Sequence, residues 1–282
     1  MSDAVARALG LRPHAPATRD LVARVGGRAV VVTGASRGVG AETAVRLARV
    51  GARPVLIARD GSALDRVAGL IRGRGGTAEV VVADLSDRGS AREAAQRALD
   101  LVGPPEVVVA NAGASLRRGV LAAAQRPRDL ERTIGLNYAG TVAFAETLLP
   151  AMAAAGRGHL VGIASMSVSV PAPGWSLYGA SKAALDHWLR AAALELAPHG
   201  IAVTSIRLPL VRTAMSAPTR AYDRVPAMRA VDAAKLVARA IVHRPRVVEP
   251  WWSALAGTVL AARPDALDPV LRRWDRMIDD AR

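Results

Sequence analysis

Short apolar runs alternate with helical patterns along most of the chain. The first run, Ala29-Val30-Val31-Val32, contains no polar residue and stops at Thr33-Gly34, the pattern of a strand buried on both faces. A helical pattern from Gly40 to about Val50 follows, and then a second run from Pro54 to Ala58. The alternation continues with Glu79 to Ala83, a helix near Ser90 to Leu101, and a run from Val107 to Ala110. Helices extend to about Ala155, followed by His159 to Ala164, a long helix from Tyr178 to Leu196, and Ile201 to Leu208. Strands separated by helices predict βαβ units, and hence an α/β fold with a doubly wound parallel sheet covered on both faces. Residues 1–26 read as an Arg-bearing, Pro-interrupted leader with one short helix, 27–250 as a single domain, and 251–282 as a C-terminal helical extension. No internal repeat is present.

Composition narrows the class. The chain has 282 residues, 51% of them hydrophobic and 22% charged, as in a globular protein. No apolar run reaches the ~18–20 residues of a membrane-spanning helix; Trp251 to Ala262 is broken by Ser253, Gly257 and Thr258. The absence of cysteine excludes disulfides, thiol catalysis and Cys-ligated zinc. The five histidines, His14, His159, His187, His199 and His243, lack metal-ligand spacing, so no metal is expected. Asp3, Arg7 and Arg12 interrupt any secretory signal, which makes a cytoplasmic location the expectation.

The charge pulls in another direction. Lysine plus arginine number 38 against 24 acids, and all the basic residues except Lys182 and Lys235 are arginine. Such a chain invites a nucleic-acid or membrane-surface reading. Yet no Lys/Arg run exceeds two residues and aromatics make up only 3%, so the stacking platforms of single-strand binders are missing. No nucleic-acid partner is expected.

Candidate chemistry begins at Thr33-Gly34-Ala35-Ser36-Arg37-Gly38-Val39-Gly40, between the first strand and its helix. Glycine lets backbone turn sharply and approach a pyrophosphate, while the helix N-terminus supplies N–H donors. A glycine-rich turn with no ligand is the plainer alternative. The second strand ends Leu56-Ile57-Ala58-Arg59-Asp60. An arginine there accommodates the 2′-phosphate of NADP, and an acid would hold the ribose of NAD. Arg59 with Arg37 makes a two-arginine phosphate clamp, favouring NADP(H); Asp60 on a ribose is the competing reading.

Tyr178 and Lys182 are four apart on one helix face. An ammonium beside a phenol favours phenolate and lowers its pKa from ~10, tuning it to exchange a proton with a carbonyl or alcohol oxygen. Such a pair alone is common on helix surfaces. Here it uses one of only two lysines, which arginine cannot replace for this purpose. Ser165 ends a strand thirteen residues earlier; it is placed to bond the same oxygen, or is one hydroxyl of a loop with Ser167 and Ser169.

Together these residues resemble the short-chain dehydrogenase/reductase family over about residues 27–250. The marks are Thr33-Gly34-x-x-x-Gly38-x-Gly40, Asp84-Leu85, Asn111-Ala112-Gly113, Asn137, Ser165 and Tyr178-x-x-x-Lys182. The resemblance implies a Rossmann-type fold that binds NADP(H). It makes Tyr178 the general acid–base, Ser165 the group that polarises the substrate oxygen, Lys182 the partner of the nicotinamide ribose, and Asn137 the holder of a relay water. Cofactor contacts would come from Gly34, Ser36, Arg37, Gly38, Val39, Gly40 and Arg59. Asp84 and Leu85 would border the adenine, Asn111, Ala112 and Gly113 the adenosine ribose side, and Pro209, Val211 and Thr213 the nicotinamide end. The family's Asn-Asn-Ala-Gly is Ala110-Asn111-Ala112-Gly113 here, and its Pro-Gly is Pro209-Leu210. Neither departure removes a catalytic group.

Three stretches are similar to the family's bacterial fatty acyl-CoA reductase branch: Pro209 to Thr219, Asn111-Ala112-Gly113-x-Ser115-x-Arg117-Arg118, and Ala240 to Arg246. That implies a long-chain acyl thioester or aldehyde as substrate, with another ketone or hydroxy compound as the alternative. A non-catalytic NADP-binding regulatory protein is the reading of a different class. The family also implies a homodimer or homotetramer, built partly through the helix carrying Ala180, Ala183, Ala184, Ala191 and Ala192. Between Arg207 and Arg246, eight arginines and Lys235 face only Asp223 and Asp232. This reads as a basic lid suited to an anionic substrate, with docking at an anionic membrane as an alternative. Trp251-Trp252 and the run behind them read as core or dimer contact, or else as a lipid-cavity wall or membrane contact.

Overall fold

The computed structural model describes residues 3–219, 222 and 225–279. Its centre is a parallel sheet of β1 (Ala29–Thr33), β2 (Arg53–Ala58), β3 (Glu79–Val82), β4 (Val107–Ala110), β5 (Gly158–Ser165), β6 (Ile201–Leu208) and β9 (Val247–Val248), in spatial order β3-β2-β1-β4-β5-β6-β9. The two-residue strands β7 (Val211–Arg212) and β8 (Met228–Arg229) pair separately. Six of the seven central strands lie where the apolar runs place them. The seventh, β9, is only two residues long and pairs Val247 with Ser205 and Val248 with Ile206, too short to give a period of its own.

The unbroken valine runs reflect burial from both sides. Val30 and Val32 face a core built with α2 (Thr18–Val25), α3 (Gly38–Ala48), α4 (Gly61–Arg72) and α10 (Ala230–His243). Val31 faces the opposite core, built with α5 (Arg88–Val102), α8 (Thr141–Ala154) and α9 (Ser176–Glu195). This is the two-sided cover that parallel strands require. Between β4 and α8 come α6 (Val120–Ala124), α7 (Pro127–Ile134) and a π-helical turn (Gly135–Gly140).

The N-terminal stretch forms two helices where one was expected, α1 (Asp3–Ala8) and α2, and Leu21 and Val25 of α2 join the first core. At the other end lie α11 (Trp251–Ala262) and α12 (Asp268–Asp279). Trp251 is not core: it is 62% exposed, and its indole N–H donates to Ala8 O, as that of Trp252 donates to Leu9 O. Among the described residues no helix is long and apolar enough to cross a membrane.

Charged residues gather at the N-terminal edge of the sheet. Glu106, just before β4, is buried among Arg28, Arg157 and Arg244 at 3.1, 3.4 and 3.2 Å. Beside it His159 is fully buried, with Nε2 2.8 Å from Thr204 Oγ1. The Thr204 hydroxyl donates to Pro245 O, so His159 Nε2 carries the proton it donates and Nδ1 is bare. Burial, then Arg244 and Arg24, press the imidazole pKa from 6.5 down to about 3. Between those values the unfolded chain binds the extra proton, so stability from this group is full above pH 6.5 and lost as pH falls toward 3. Urea unfolding should show His159→Gln losing less stability than the wild type between pH 7 and 4, by up to about 3 kcal/mol. Parallel pH profiles would show that the histidine contributes nothing.

Candidate active site

The strand order reverses between β1 and β4, and open α/β sheets bind ligands in the crevice outside the carboxyl ends of strands at such a point. Thr33, the last residue of β1, organises this edge. Its Oγ1 accepts from Asn111 N at 2.9 Å and Ala112 N at 3.0 Å and donates to Val109 O. Asn111 Nδ2 donates in turn to Thr33 O at 2.9 Å and Gly34 O at 3.3 Å. Its carboxamide therefore stitches β1 to β4, whatever its neighbours do for a ribose.

The turn that follows uses left-handed backbone at Gly34 (φ 64°) and Gly38 (φ 59°), where side chains are strained. A Cβ on Gly40 would collide with Gly34 O and Asn111 Nδ2, so α3 comes closer to the strand end than any side chain allows. No side chain caps α3, whose flanking residue Arg37 is extended, and its first N–H groups are left for an anion. Gly38 lies against the methyl of Thr213, 3.3 Å from where its Cβ would be, so the segment after β6 closes over the same turn. Ser36 lies within the turn, and Val39, in the first turn of α3, packs on the first core. Pro209 and Val211 carry the chain from β6 to Thr213, with Leu210 O accepting from Met228 N. A cradle too narrow for Cβ atoms, with uncapped amides, fits a dinucleotide pyrophosphate.

At the end of β2, Asp60 caps α4: its Oδ1 accepts from Ala63 N and Ser62 Oγ, both at 2.9 Å. Those two bonds, with smaller help from Arg66 and Arg37, hold its carboxyl below the usual range. Arg37 is thus near enough to Asp60 to act on its charge, and the guanidinium of Arg59, the preceding residue, is 3.5 Å from Asp84 Oδ2. Burial works to raise the Asp84 pKa, but bonds from Ser86 N (2.9 Å) and Oγ (2.7 Å), then Arg59, outweigh it and keep the pKa low. Leu85 is buried, and its carbonyl occupies the space a side chain on Gly140 would need.

The chemical end lies beside the carboxyl end of β5. Lys182 is buried and donates to Ile163 O at 2.8 Å. Burial lowers its pKa to about 8. Tyr178, one turn earlier on α9, has its phenol pKa raised by burial, against a downward pull from its hydrogen bond with Ser165. This corrects the expected lysine-lowered phenol: desolvation dominates, and the ammonium is turned to a strand carbonyl. Ser165 Oγ also accepts from Ser167 N (3.2 Å) and Ser167 Oγ (3.0 Å).

Asn137 sits fully buried in the π-helical turn. Its Oδ1 accepts from Ala114 N at 2.8 Å, while Nδ2 donates to Ala114 O and Ser181 Oγ, both at 2.9 Å. Ser181 Oγ donates to Tyr178 O at 2.7 Å. Both amide hydrogens are therefore committed to locking the 113–114 turn against α9. Gly113 is tight here too, its missing Cβ 3.1 Å from Asn137 Oδ1 and 3.2 Å from Lys182 Nζ. The π turn and Ser181 carried no signal in the sequence that pointed to this junction.

The expected basic lid is corrected in part. Arg207 donates to Asp186 Oδ2 at 2.7 Å, Glu249 Oε2 at 3.0 Å and Ser169 Oγ at 3.0 Å. Arg229 and Lys235 pair with Asp232, and Arg244 belongs to the Glu106 cluster at the opposite edge of the sheet. Counting charge within one segment missed Asp186, Glu249 and Glu106, which lie outside it. Arg220, Asp223 and Arg224 lie outside the described residues.

Residues 28–224 match the family model described as short chain dehydrogenase. A fatty acyl-CoA reductase of Acinetobacter baylyi is 39% identical over 241 residues, 86% of this chain and 82% of that protein. The crystal structure of a metagenomic short-chain oxidoreductase in complex with NADP superposes with a TM-score of 0.70 at 32% identity, over 80% of this chain and 97% of that one. That of a 3-ketoacyl-(acyl-carrier-protein) reductase from Brucella melitensis, complexed with NADH, gives 0.71 at 26% identity, over 79% and 96%.

Removing the Asn111 carboxamide leaves the Thr33 and Gly34 carbonyls without that donor at a closely packed junction. Asn111→Ala should lower the free energy of urea unfolding by about 1–3 kcal/mol. An unchanged denaturation midpoint would show that the stitch is dispensable.

Proposed function

Because the chain belongs to the short-chain dehydrogenase/reductase family of oxidoreductases, we propose that it is an NADP(H)-dependent reductase of an apolar carbonyl compound, a long-chain acyl thioester or aldehyde, with Tyr178 as general acid–base. The observation that carries this reading is the meeting of Tyr178, Ser165 and Lys182 at the carboxyl end of β5, alongside the cradle of Gly34, Gly38 and Gly40. The acyl substrate draws support from the similarity to a protein named fatty acyl-CoA reductase. NADP over NAD draws support from Arg37, whose charge acts on Asp60, from Arg59 beside Asp60 in sequence, and from the helix-capping bonds on Asp60.

Bound NADPH would supply the hydride, held by the amides at the start of α3, with Arg37 and Arg59 on its 2′-phosphate. Ser165 Oγ donates a hydrogen bond to the substrate carbonyl oxygen and polarises it. Tyr178 passes its proton to that oxygen as negative charge develops there. The raised phenol pKa suits this direction, since the group stays protonated through neutral pH. Lys182, with a pKa near 8, offers its ammonium to the nicotinamide ribose hydroxyls. We place the enzyme in the cytoplasm as a homodimer or homotetramer using the exposed side of α9, which offers Ala180 and Ala191; Ala192 is buried within the subunit.

Tyr178→Phe should cut NADPH oxidation with a long-chain aldehyde or acyl-CoA by about 10²–10⁴-fold and leave the NADPH dissociation constant within about twofold. Retained turnover would overturn the mechanism, and a wild-type preference for short polar ketones would overturn the substrate class. Arg59→Ala should weaken NADPH by about tenfold and NADH hardly at all, measured by nicotinamide fluorescence. Equal weakening of both would remove the NADP assignment.

A further inference from the structure

The chain holds five tryptophans, three tyrosines and one phenylalanine, and four of these rings meet beside the reaction centre. Trp175, at the start of α9 and three residues before Tyr178, is 4% exposed and packs against it. Tyr222 stacks on Trp175 with centroids 5.3 Å apart and planes 18° from parallel. Trp274, from α12, lies 5.8 Å from the same ring. Tyr222 is close enough to Tyr178 that each phenolate would repel the other; burial first, then this repulsion, pushes the Tyr222 pKa up. The guanidinium of Arg117 sits 5.2 Å from the centre of Trp175 and 3.6 Å from Asp275 of α12. Arg118 N donates to Gly174 O at 2.6 Å, and Gly174, at φ 80°, leaves room for the Arg117 side chain.

We propose that Trp274 is a specificity-determining residue: α12 delivers it, latched by Asp275 to Arg117, as the outer wall against which the apolar arm of the substrate packs beside Tyr178. Trp274 lies beyond residues 28–224, so the family match assigns it nothing. Two things favour a substrate wall over simple core. The cluster adjoins the phenol, and it is made by α12, which otherwise faces solvent with Val270 64% and Met277 47% exposed. Trp274 and the half-buried Tyr178 both pack on Trp175, which leaves one apolar surface for a chain that extends away from the carbonyl. Aromatic surface of this kind holds alkyl chains through area removed from water.

The inference rests on the apolar-substrate reading, and its test separates the two. Trp274→Ala should lower kcat/KM for decanal with NADPH by about tenfold or more, leave propanal within about twofold, and be rescued by Trp274→Phe. Asp275→Asn, a change on a partly exposed side chain, should raise KM for decanal about threefold or more at unchanged kcat. Calorimetric titration of cofactor-free protein with 1-decanol should show the same order of affinities without any turnover. Equal losses for both aldehydes, an unmoved decanal value, or decanol binding indifferent to Trp274→Ala would each overturn the proposal. If the wild type reduces neither aldehyde, the proposed activity fails while the decanol titration still decides the wall.

Discussion

Two parallel strands that part at their carboxyl ends leave backbone groups without partners, and the molecule answers this with one threonine and one asparagine. Thr33 Oγ1 takes the N–H groups of Asn111 and Ala112, and the Asn111 carboxamide gives its hydrogens to the carbonyls of Thr33 and Gly34. Only after those carbonyls are satisfied does α3 descend onto them, and only a glycine at position 40 lets it come so close. The next residues along the chain, Gly113 and Ala114, are gripped by Asn137, which also holds Ser181, which holds the Tyr178 carbonyl. Hydrogen bonds and a few peptide units therefore run from the glycine cradle to the helix that carries Tyr178. The spacing of the two halves of the site is a consequence of strand chemistry, and the loops above it inherit that spacing.

Burial then sets the electrostatics. Lys182 is enclosed with one carbonyl partner, so its ammonium is held weakly and its pKa falls to about 8. Tyr178 is pushed the other way by the same desolvation. Moving both groups out of water drives their pKa values apart, the lysine falling while the phenol rises. The site as folded thus favours the neutral acid at Tyr178 over a standing phenolate, and a ligand charge in the cleft has a polarisable amine within reach.

The sheet was legible because burial on both faces writes each strand as an uninterrupted apolar run, and the outline of the candidate site because Thr33-Gly34, Gly38, Gly40, Tyr178 and Lys182 are local patterns with a fixed offset. What was not legible depends on partners distant in the chain. Arg207 reads as one more basic residue, and its acids are Asp186 and Glu249, 21 and 42 positions away. The direction of the tyrosine shift was missed because spacing reports that two side chains share a face, not that one of them turns to Ile163 O. Leu21 and Val25 sit in a stretch broken by prolines, and only α10 packing over them makes them core. The aromatic cluster joins positions 175, 222 and 274, and its one signal was scarcity: rings are rare in this chain.

That scarcity meets the arginine surplus at Arg117. A guanidinium is weakly hydrated and planar, so it lies on an indole at lower desolvation cost than an ammonium would. Over Trp175 and beside Asp275 it serves as a packing piece as well as a charge. The same use recurs where Arg207 is enclosed between Asp186 and Glu249 and where Arg244 reaches Glu106. Net charge summed over sequence therefore overstates the field at the site, because Arg117 and Arg207 are paired with acids where they stand and Arg244 lies at the far edge of the sheet. What adjoins Tyr178 is instead a cluster of rings, beside which the bond between Ser165 and Tyr178 acts against less competing solvent than it would at an open surface.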